Sequence, residues 1–297
     1  MKTRIDARLL MAVAVTAFFA ASVYSGIGAG LEAYDPGPLS LLRLLSASVA
    51  LAFYALLSRR VRLPAVRDLP AAALSGLLGF AAYNVALAYG QATVSAGTAG
   101  LLHASIPVFT ALLAVAFLGE RLGGLAWAGI AISFSGVALI SLGEGGGLRF
   151  DTEAFLVLLS AVSASLYFVF QKPYLKRYSA LEFTSYSIWA GALFLSPFLP
   201  GLVVQAQAAP PGATLGMVYV GVFATAVSYA TLAYVFSRLP AARAGVVNYL
   251  IPPLALAIAW VWLGEVPTIV AMIGGVVTLL GVALVNARGE SQPSSDT

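Results

Sequence analysis

The apolar positions of this chain fall into ten runs, approximately 9–30, 38–58, 69–91, 96–118, 123–142, 153–172, 181–199, 214–236, 243–263 and 268–286, with the polar positions collected between them. About twenty apolar residues is the length an α-helix needs to cross a hydrocarbon layer of roughly 30 Å. Each run therefore predicts one membrane-spanning helix. Pro, Gly and charge mark the breaks, in "EAYDPGP", "SRRVRLPAVRD", "SLGEGGGLRFDTE", "KPYLKRYSALE" and "GLVVQAQAAPPGAT". Because these connections are short, helices adjacent in sequence are expected to be neighbours in the bundle. The last stretch, 287–297, is polar and Ser-rich and reads as a disordered tail.

Composition turns this pattern into a class. Hydrophobic residues make up 60% of the 297 positions and charged residues 9%, too little charge to solvate the surface of a water-soluble globule. The expected fold is an all-α integral membrane protein with the lipid bilayer as its solvent. The opening "MKTRIDARLLMAVAVTAFFAASVYSG" has the basic head and apolar body of a signal peptide. Its apolar run is longer than the roughly 7–15 residues of a signal h-region, so it reads as a retained first helix. The absence of cysteine excludes disulfides, thiolate metal sites and cysteine nucleophiles. The single histidine, His103, excludes an all-histidine metal site, and no cofactor is expected.

Charge then orients the helices. With the amino end in the cytoplasm, Lys2, Arg4, Arg8, Arg59, Arg60, Arg62, Arg67, Arg121, Lys172, Lys176, Arg177, Arg238, Arg243 and Arg288 fall on that side, and only Arg149 on the other. Cytoplasmic excess of Lys and Arg sets membrane topology, so both termini are predicted to be cytoplasmic. The basic balance is a topology signal and calls for no nucleic-acid partner.

A second regularity lies in the apolar text itself. "IPVFTALLAVAFLGE" from Ile106 and "IPPLALAIAWVWLGE" from Ile251 repeat one pattern, and Pro107 with Pro252, Glu120 with Glu265, and Gly136 with Gly281 are each 145 residues apart. The same ungapped register pairs Gly76 with Gly221, Leu87-Ala88-Tyr89 with Leu232-Ala233-Tyr234, and Gly129 with Gly274. Each copy holds five predicted helices, an odd number, so the second copy must sit upside down relative to the first. Two inverted halves around a midplane site are the architecture of alternating access. The expected repeats are 7–143 and 152–286.

These residues carry a resemblance. Two five-helix copies, each with "IP" leading an apolar helix into "LGE" and a Gly-spaced helix closing on "GVAL", together with "PLSLLRLLSASVALAFYALL" after the first helix, resemble the EamA-type repeat of the drug/metabolite transporter superfamily. The aromatic-rich helices resemble its bacterial exporters of aromatic and other neutral amino acids, the YddG type. The resemblance implies a bacterial inner-membrane carrier with a cavity walled by the first four helices of each repeat and the fifth of each at the periphery.

Candidate site residues follow from the polar groups inside the spans. Arg43 is the only basic residue within one. A cation there is costly and must face protein, water or a counter-charge. It reads as a dock for a substrate carboxylate or a gating ion pair, or else as a cation that snorkels to the outer headgroups or pairs with Glu32 or Asp35. His103 stands one turn before Pro107, and its repeat partner Asn248 one turn before Pro252, where proline frees a carbonyl of the preceding turn. Tyr24, Tyr83, Asn84, Tyr167, Trp189 and Tyr229 supply neutral aromatic and amide walls, which suit a zwitterionic amino acid with an apolar side chain. No carboxylate lies well inside a predicted span, which disfavours cationic drugs, and one arginine is thin for sugar phosphates. Tyr54, Tyr174 and Tyr178 read as interfacial belt residues, and Glu120 and Glu265 as end-anchors of their helices or hydrogen-bond partners of loops. No clustered catalytic groups suggest an enzyme. The alternative substrates are other amphipathic metabolites or drugs, and the oligomeric state is open.

Overall fold

The computed structural model describes residues 7–58, 61–119, 122–143, 152–238 and 246–286, and these form helices joined by short turns and irregular connections, with no strand among them. Helix α1 (Ala7–Leu31) is followed by α2 (Pro36–Ser58), and a third crossing is built from α3 (Leu69–Gly76) and α4 (Tyr83–Gly90). Next come α5 (Ala96–His103) with α6 (Ile106–Leu118), α7 (Gly124–Ser141) and α8 (Thr152–Phe170). The remainder is α9 (Ala180–Phe194), α10 (Leu199–Ala208), α11 (Pro211–Gly221), α12 (Ser228–Arg238), α13 (Val246–Leu263) and α14 (Ile269–Asn286). Among the described residues seven helical stretches are long and apolar enough to cross a membrane, and an eighth does so if the bent pair Ala180–Phe194 and Ser196–Ala208 is one span. This is a multi-pass membrane protein.

Several predicted spans are interrupted, and each interruption has a local cause. In the third crossing a π-turn, Leu77–Ala82, joins α3 to α4, and a second π-turn, Val222–Val227, joins α11 to α12. The two lie 145 residues apart, in the register of the sequence repeat. A π-turn disturbs the helical ladder, and in apolar surroundings the affected carbonyls need partners from within the protein. Ser163 Oγ donates to the Leu78 carbonyl, Asn84 Nδ2 to that of Phe80 at 2.7 Å, and Thr225 Oγ1 to that of Val220 at 3.0 Å. Between α5 and α6 the helix stops at His103 and restarts at Ile106, with Pro107 in the first turn. Ser105 Oγ covers the Leu102 carbonyl at 2.6 Å and Ser165 Oγ that of Ile106 at 3.0 Å. The corresponding prolines of the second copy, Pro252 and Pro253, sit inside an unbroken α13.

The seventh predicted span, 181–199, differs most. Helix α9 ends at Phe194, and after a turn at Ser196–Phe198 the chain continues as α10, bent by 47°. Pro197 and Pro200 have no N–H to extend the ladder of α9. Part of the stretch expected as a break, Gly201–Ala208, is therefore helical. The start of α9 is secured by a capping box in which Ser179 and Glu182 bond each other's backbone.

Small residues set the packing between the halves. A Cβ on Gly129 would stand 2.6 Å from the Gly281 carbonyl oxygen, and one on Gly136 would stand 2.6 Å from that of Gly274. As α7 advances, its contacts on α14 retreat, so this closely packed pair is antiparallel. Backbone approach of this kind is how helices associate where lipid removes the hydrophobic drive. Gly76 packs on Ser187 and Gly191 of α9, and its repeat partner Gly221 on Arg43 and Ser46 of α2. Gly119 and Gly264, again 145 apart, take left-handed φ values of 68° and 70° after α6 and α13, the conformation that ends helices and favours glycine. The main core, with Phe80, Phe183, Leu44 and Leu87 fully buried, lies where α1, α2, α4, α8 and α9 meet.

Candidate functional site

Arg43 projects from the second turn of α2 and is 4% exposed. Its Nε donates to Thr225 Oγ1 at 3.1 Å, so the side chain reads the second π-turn directly. Its guanidinium carbon lies 5.8 Å from the centre of the Tyr83 ring, a cation–π distance. Its Nη1 is buried without a hydrogen-bond partner, and no ion pair joins it to a carboxylate among the described residues. Asp35 is instead engaged by Gln205, through its backbone N–H at 3.0 Å and its carboxylate at 2.5 Å. The site therefore holds a desolvated cation with donor capacity to spare, a costly arrangement unless something anionic completes it.

His103 sits at the broken end of α5 with both ring nitrogens engaged. Tyr24 Oη lies 2.9 Å from Nδ1, and Ser160 Oγ 2.6 Å from Nε2. Ser160 also donates to the Val157 carbonyl at 2.6 Å, which uses its only proton. Nε2 must then be the donor to Ser160, and Nδ1 the acceptor of the Tyr24 hydroxyl proton. The imidazole is thus a neutral, fixed link between α1, α5 and α8. Tyr83 packs on it with ring centres 5.8 Å apart, so Tyr24, His103, Tyr83 and Arg43 form one contiguous cluster.

A second group of rings adjoins the first. Phe80 contacts Tyr167 at 5.1 Å and Tyr229 at 5.8 Å, and Tyr167 Oη meets Thr184 Oγ1 at 2.8 Å. Tyr24 and Tyr167 are buried, while Tyr83 and Tyr229 are half-buried within the bundle. Those two rings therefore border accessible space. Other expected site residues are occupied elsewhere. Asn84 is spent on its own helix, at the Phe80 carbonyl, and Trp189 Nε1 donates to the Ser48 carbonyl at 3.1 Å, tying α9 to α2. Asn248 is exposed on α13, and no hydrogen bond or ring contact joins it to the cluster. Phe80, Ser160, Thr184 and Thr225 were not singled out from the sequence. The run "SAVSAS" in α8 was the available signal for Ser160, since three serines so close together in a membrane helix need partners.

Loops of the two halves are clasped at both ends of the bundle. At one end Asp68 accepts from Arg177 Nη1 at 2.8 and 3.1 Å and from Tyr178 Oη at 2.8 Å, which gives Tyr178, expected only as a belt residue, a structural role. At the other, Tyr34 Oη meets Thr214 Oγ1 at 2.6 Å. Glu265 Oε2 accepts from the Gly97 N–H at 3.2 Å and so anchors the start of α5; Glu120 and Arg149 lie outside the described residues. A cavity of about 610 Å³ opens at the end carrying the 31–36 turn, and none of the residues expected at the site lines it. Among the described residues no group of three His, Cys, Asp or Glu side chains could hold a metal ion.

Comparison with known proteins places this arrangement. The EamA-like transporter family matches residues 8–142 and again 151–287, nearly the whole chain in two copies. The chain belongs to this family. It is 45% identical over 262 residues to the uncharacterized transporter YdfC of Bacillus subtilis, covering 88% of this chain and 85% of that one. It is 44% identical over 281 residues to a probable terminal-alkyne amino-acid exporter of Streptantibioticus cattleyicolor, covering 95% and 94%. A crystal structure of a protein 19% identical superposes with a TM-score of 0.63 over 96% of this chain and 99% of that one, which speaks to the fold alone. As an EamA-family transporter the chain acts on a solute that crosses the membrane, and a small-molecule substrate is the partner its site has to accommodate.

Proposed function

We propose that this transporter exports small neutral amphipathic solutes, above all aromatic and other hydrophobic amino acids, across a bacterial inner membrane. Ten membrane helices in two inverted repeats, 7–143 and 152–286, would exchange access to a central site, with both termini cytoplasmic. The antiparallel α7–α14 pair, the matched π-turns and the matched left-handed glycines all favour this arrangement.

The observation that carries the substrate class is Arg43: a buried guanidinium with an unpartnered Nη1 beneath the ring of Tyr83. It is suited to one carboxylate, while Tyr24, Tyr83, Tyr167 and Tyr229 suit an apolar or aromatic side chain. A relative that is a probable terminal-alkyne amino-acid exporter favours the amino-acid class. In this reading His103 positions Tyr24 and Tyr83, while Asn84, Trp189 and Asn248 contribute to the wall when the halves move apart. The chain has no enzymatic role in this scheme. The test is counterflow in proteoliposomes loaded with unlabelled tryptophan, phenylalanine, methionine or threonine, with entry of the labelled compound followed without an ion gradient. Saturable exchange, weakened in Tyr83→Ala and Tyr229→Ala, is expected. Absence of exchange across the set by folded protein would shift the substrate to another metabolite or a drug.

A further inference from the structure

The 610 Å³ cavity is within the size range of small-molecule sites, roughly 300–1,000 Å³. Its lining is mostly small, and the features that distinguish it are Glu32, Gln205 and Trp262. Glu32 is the only charged residue of the lining, and no basic group pairs with it among the described residues. Gln205 is turned to Asp35, to which its amide group both donates and offers its oxygen. Trp262 is 45% exposed, and its ring is set edge-on to Tyr219 at 6.1 Å.

Backbone polarity reinforces the charge of Glu32. Helices α1, α10 and α13 bring their carboxyl ends to this cavity, through Gly30, Ala208 and Trp262, whereas only α11 brings an amino end, through Gly212. The carboxyl end of a helix carries a partial negative charge. Three such ends against one, with a carboxylate and an aromatic face, make a site for a cation with an apolar body.

The cavity is also separated from Arg43. Its glycines Gly26 and Gly30 pack on Val220, and on Met217 and Leu39, all three fully buried. Leu39 lies one turn before Arg43 on α2, and Gly221, next to Val220, packs on the Arg43 carbonyl. An apolar layer thus stands between a cationic inner cluster and an anionic outer cavity.

We propose that this cavity is a second binding site, which takes an organic ammonium group against Glu32 with the attached apolar body on Trp262. Its role as the exit vestibule of an amino-acid exporter rests on the function proposed above; the binding itself does not. A zwitterion is held first by its carboxylate at Arg43 and, once the Leu39–Met217–Val220 layer parts, by its ammonium at Glu32.

The experiment is equilibrium binding of labelled 2-phenylethylamine, which has the ammonium and ring but no carboxylate, to the purified full chain in phosphatidylglycerol nanodiscs. Saturable binding is expected, weakened about two- to fivefold in Glu32→Gln, whose carboxylate is exposed, and about threefold in Trp262→Ala, with no displacement by 2-phenylethanol. Lack of saturable binding, or equal affinity in Glu32→Gln, overturns the site. Phosphatidylethanolamine offers the same ammonium, so the measurement is repeated with that lipid present. Unchanged binding supports a solute site, and complete competition assigns the group to a lipid headgroup and overturns it. Phenylalanine counterflow on the same preparation separates the two readings: amine binding without amino-acid exchange would refute the proposed substrate class and leave the ammonium site standing.

Discussion

Replacing Arg43 by glutamine separates a substrate dock from a structural cation. In a structural ion pair, loss of one partner strands the other and costs about 3–5 kcal/mol. Arg43 has no carboxylate partner among the described residues, and its hydrogen bond goes to the neutral Thr225 hydroxyl. Glutamine retains an amide donor and gives up that bond, about 1 kcal/mol, together with the cation–π contact to the Tyr83 ring, about 0.5–2 kcal/mol. It also removes a cation whose burial in a membrane helix costs about 2.5 kcal/mol near the centre and less toward the edge. Losses and gain are of similar size, so the expected melting temperature of Arg43→Gln in detergent is close to that of the parent. Binding of a carboxylate substrate should suffer. A charge-assisted hydrogen bond contributes about 1.5–3 kcal/mol, which corresponds to roughly 10- to 150-fold in affinity. The assay is phenylalanine binding to the purified protein alongside its thermal melt. Unchanged phenylalanine affinity together with a lower melting temperature would refute the reasoning and assign Arg43 to the scaffold.

Tyr24→Phe removes the donor to His103 Nδ1 and leaves a buried ring nitrogen unpaired, so stability should fall by about 1–3 kcal/mol, read as a lower melting temperature. Gly136→Ala places a methyl group 2.4 Å from the Thr278 backbone nitrogen, where backbone must move, whereas Gly124 has nothing within 4 Å; the first should cost about 1–3 kcal/mol, and Gly124→Ala should melt with the parent. Asp68→Asn weakens the clasp to Arg177 and Tyr178, and crosslinking between cysteines introduced at Val66 and Leu175 should become slower and less complete than in the otherwise identical Asp68 protein.

The parts of this protein legible from its chain are those governed by one dimension. Apolar run length placed the helices to within a few residues, since hydrocarbon thickness sets how many residues a crossing needs. The 145-residue register was legible, and the π-turns and left-handed glycines found in the structure recur in it. Arg43 stood out because it is the only basic residue within a predicted span, and a cation there must face protein, water or a counter-charge. The bend after Phe194, at Pro197 and Pro200, falls inside the single span expected over 181–199, and Gly201–Ala208, expected as part of a break, continues as helix.

The tertiary structure alone decided which polar groups remain available to a ligand. When nearly every face of a helix is apolar, its rotation leaves no trace in the pattern of residues. Asn84 and Trp189 have the right chemistry for a site but are committed to the Phe80 and Ser48 carbonyls. Tyr24 and Ser160 together settle the proton arrangement of His103 from two different helices. The cavity beside the 31–36 turn is likewise a product of assembly: Gly26, Gln205 and Trp262 are far apart in the chain. Its polarity comes from helix ends that meet only when the bundle closes. Composition and spacing along the chain determined a membrane bundle with a duplicated half; packing determined where in that bundle charge, aromatic surface and open space coincide, because those depend on relative rotations that no single segment encodes.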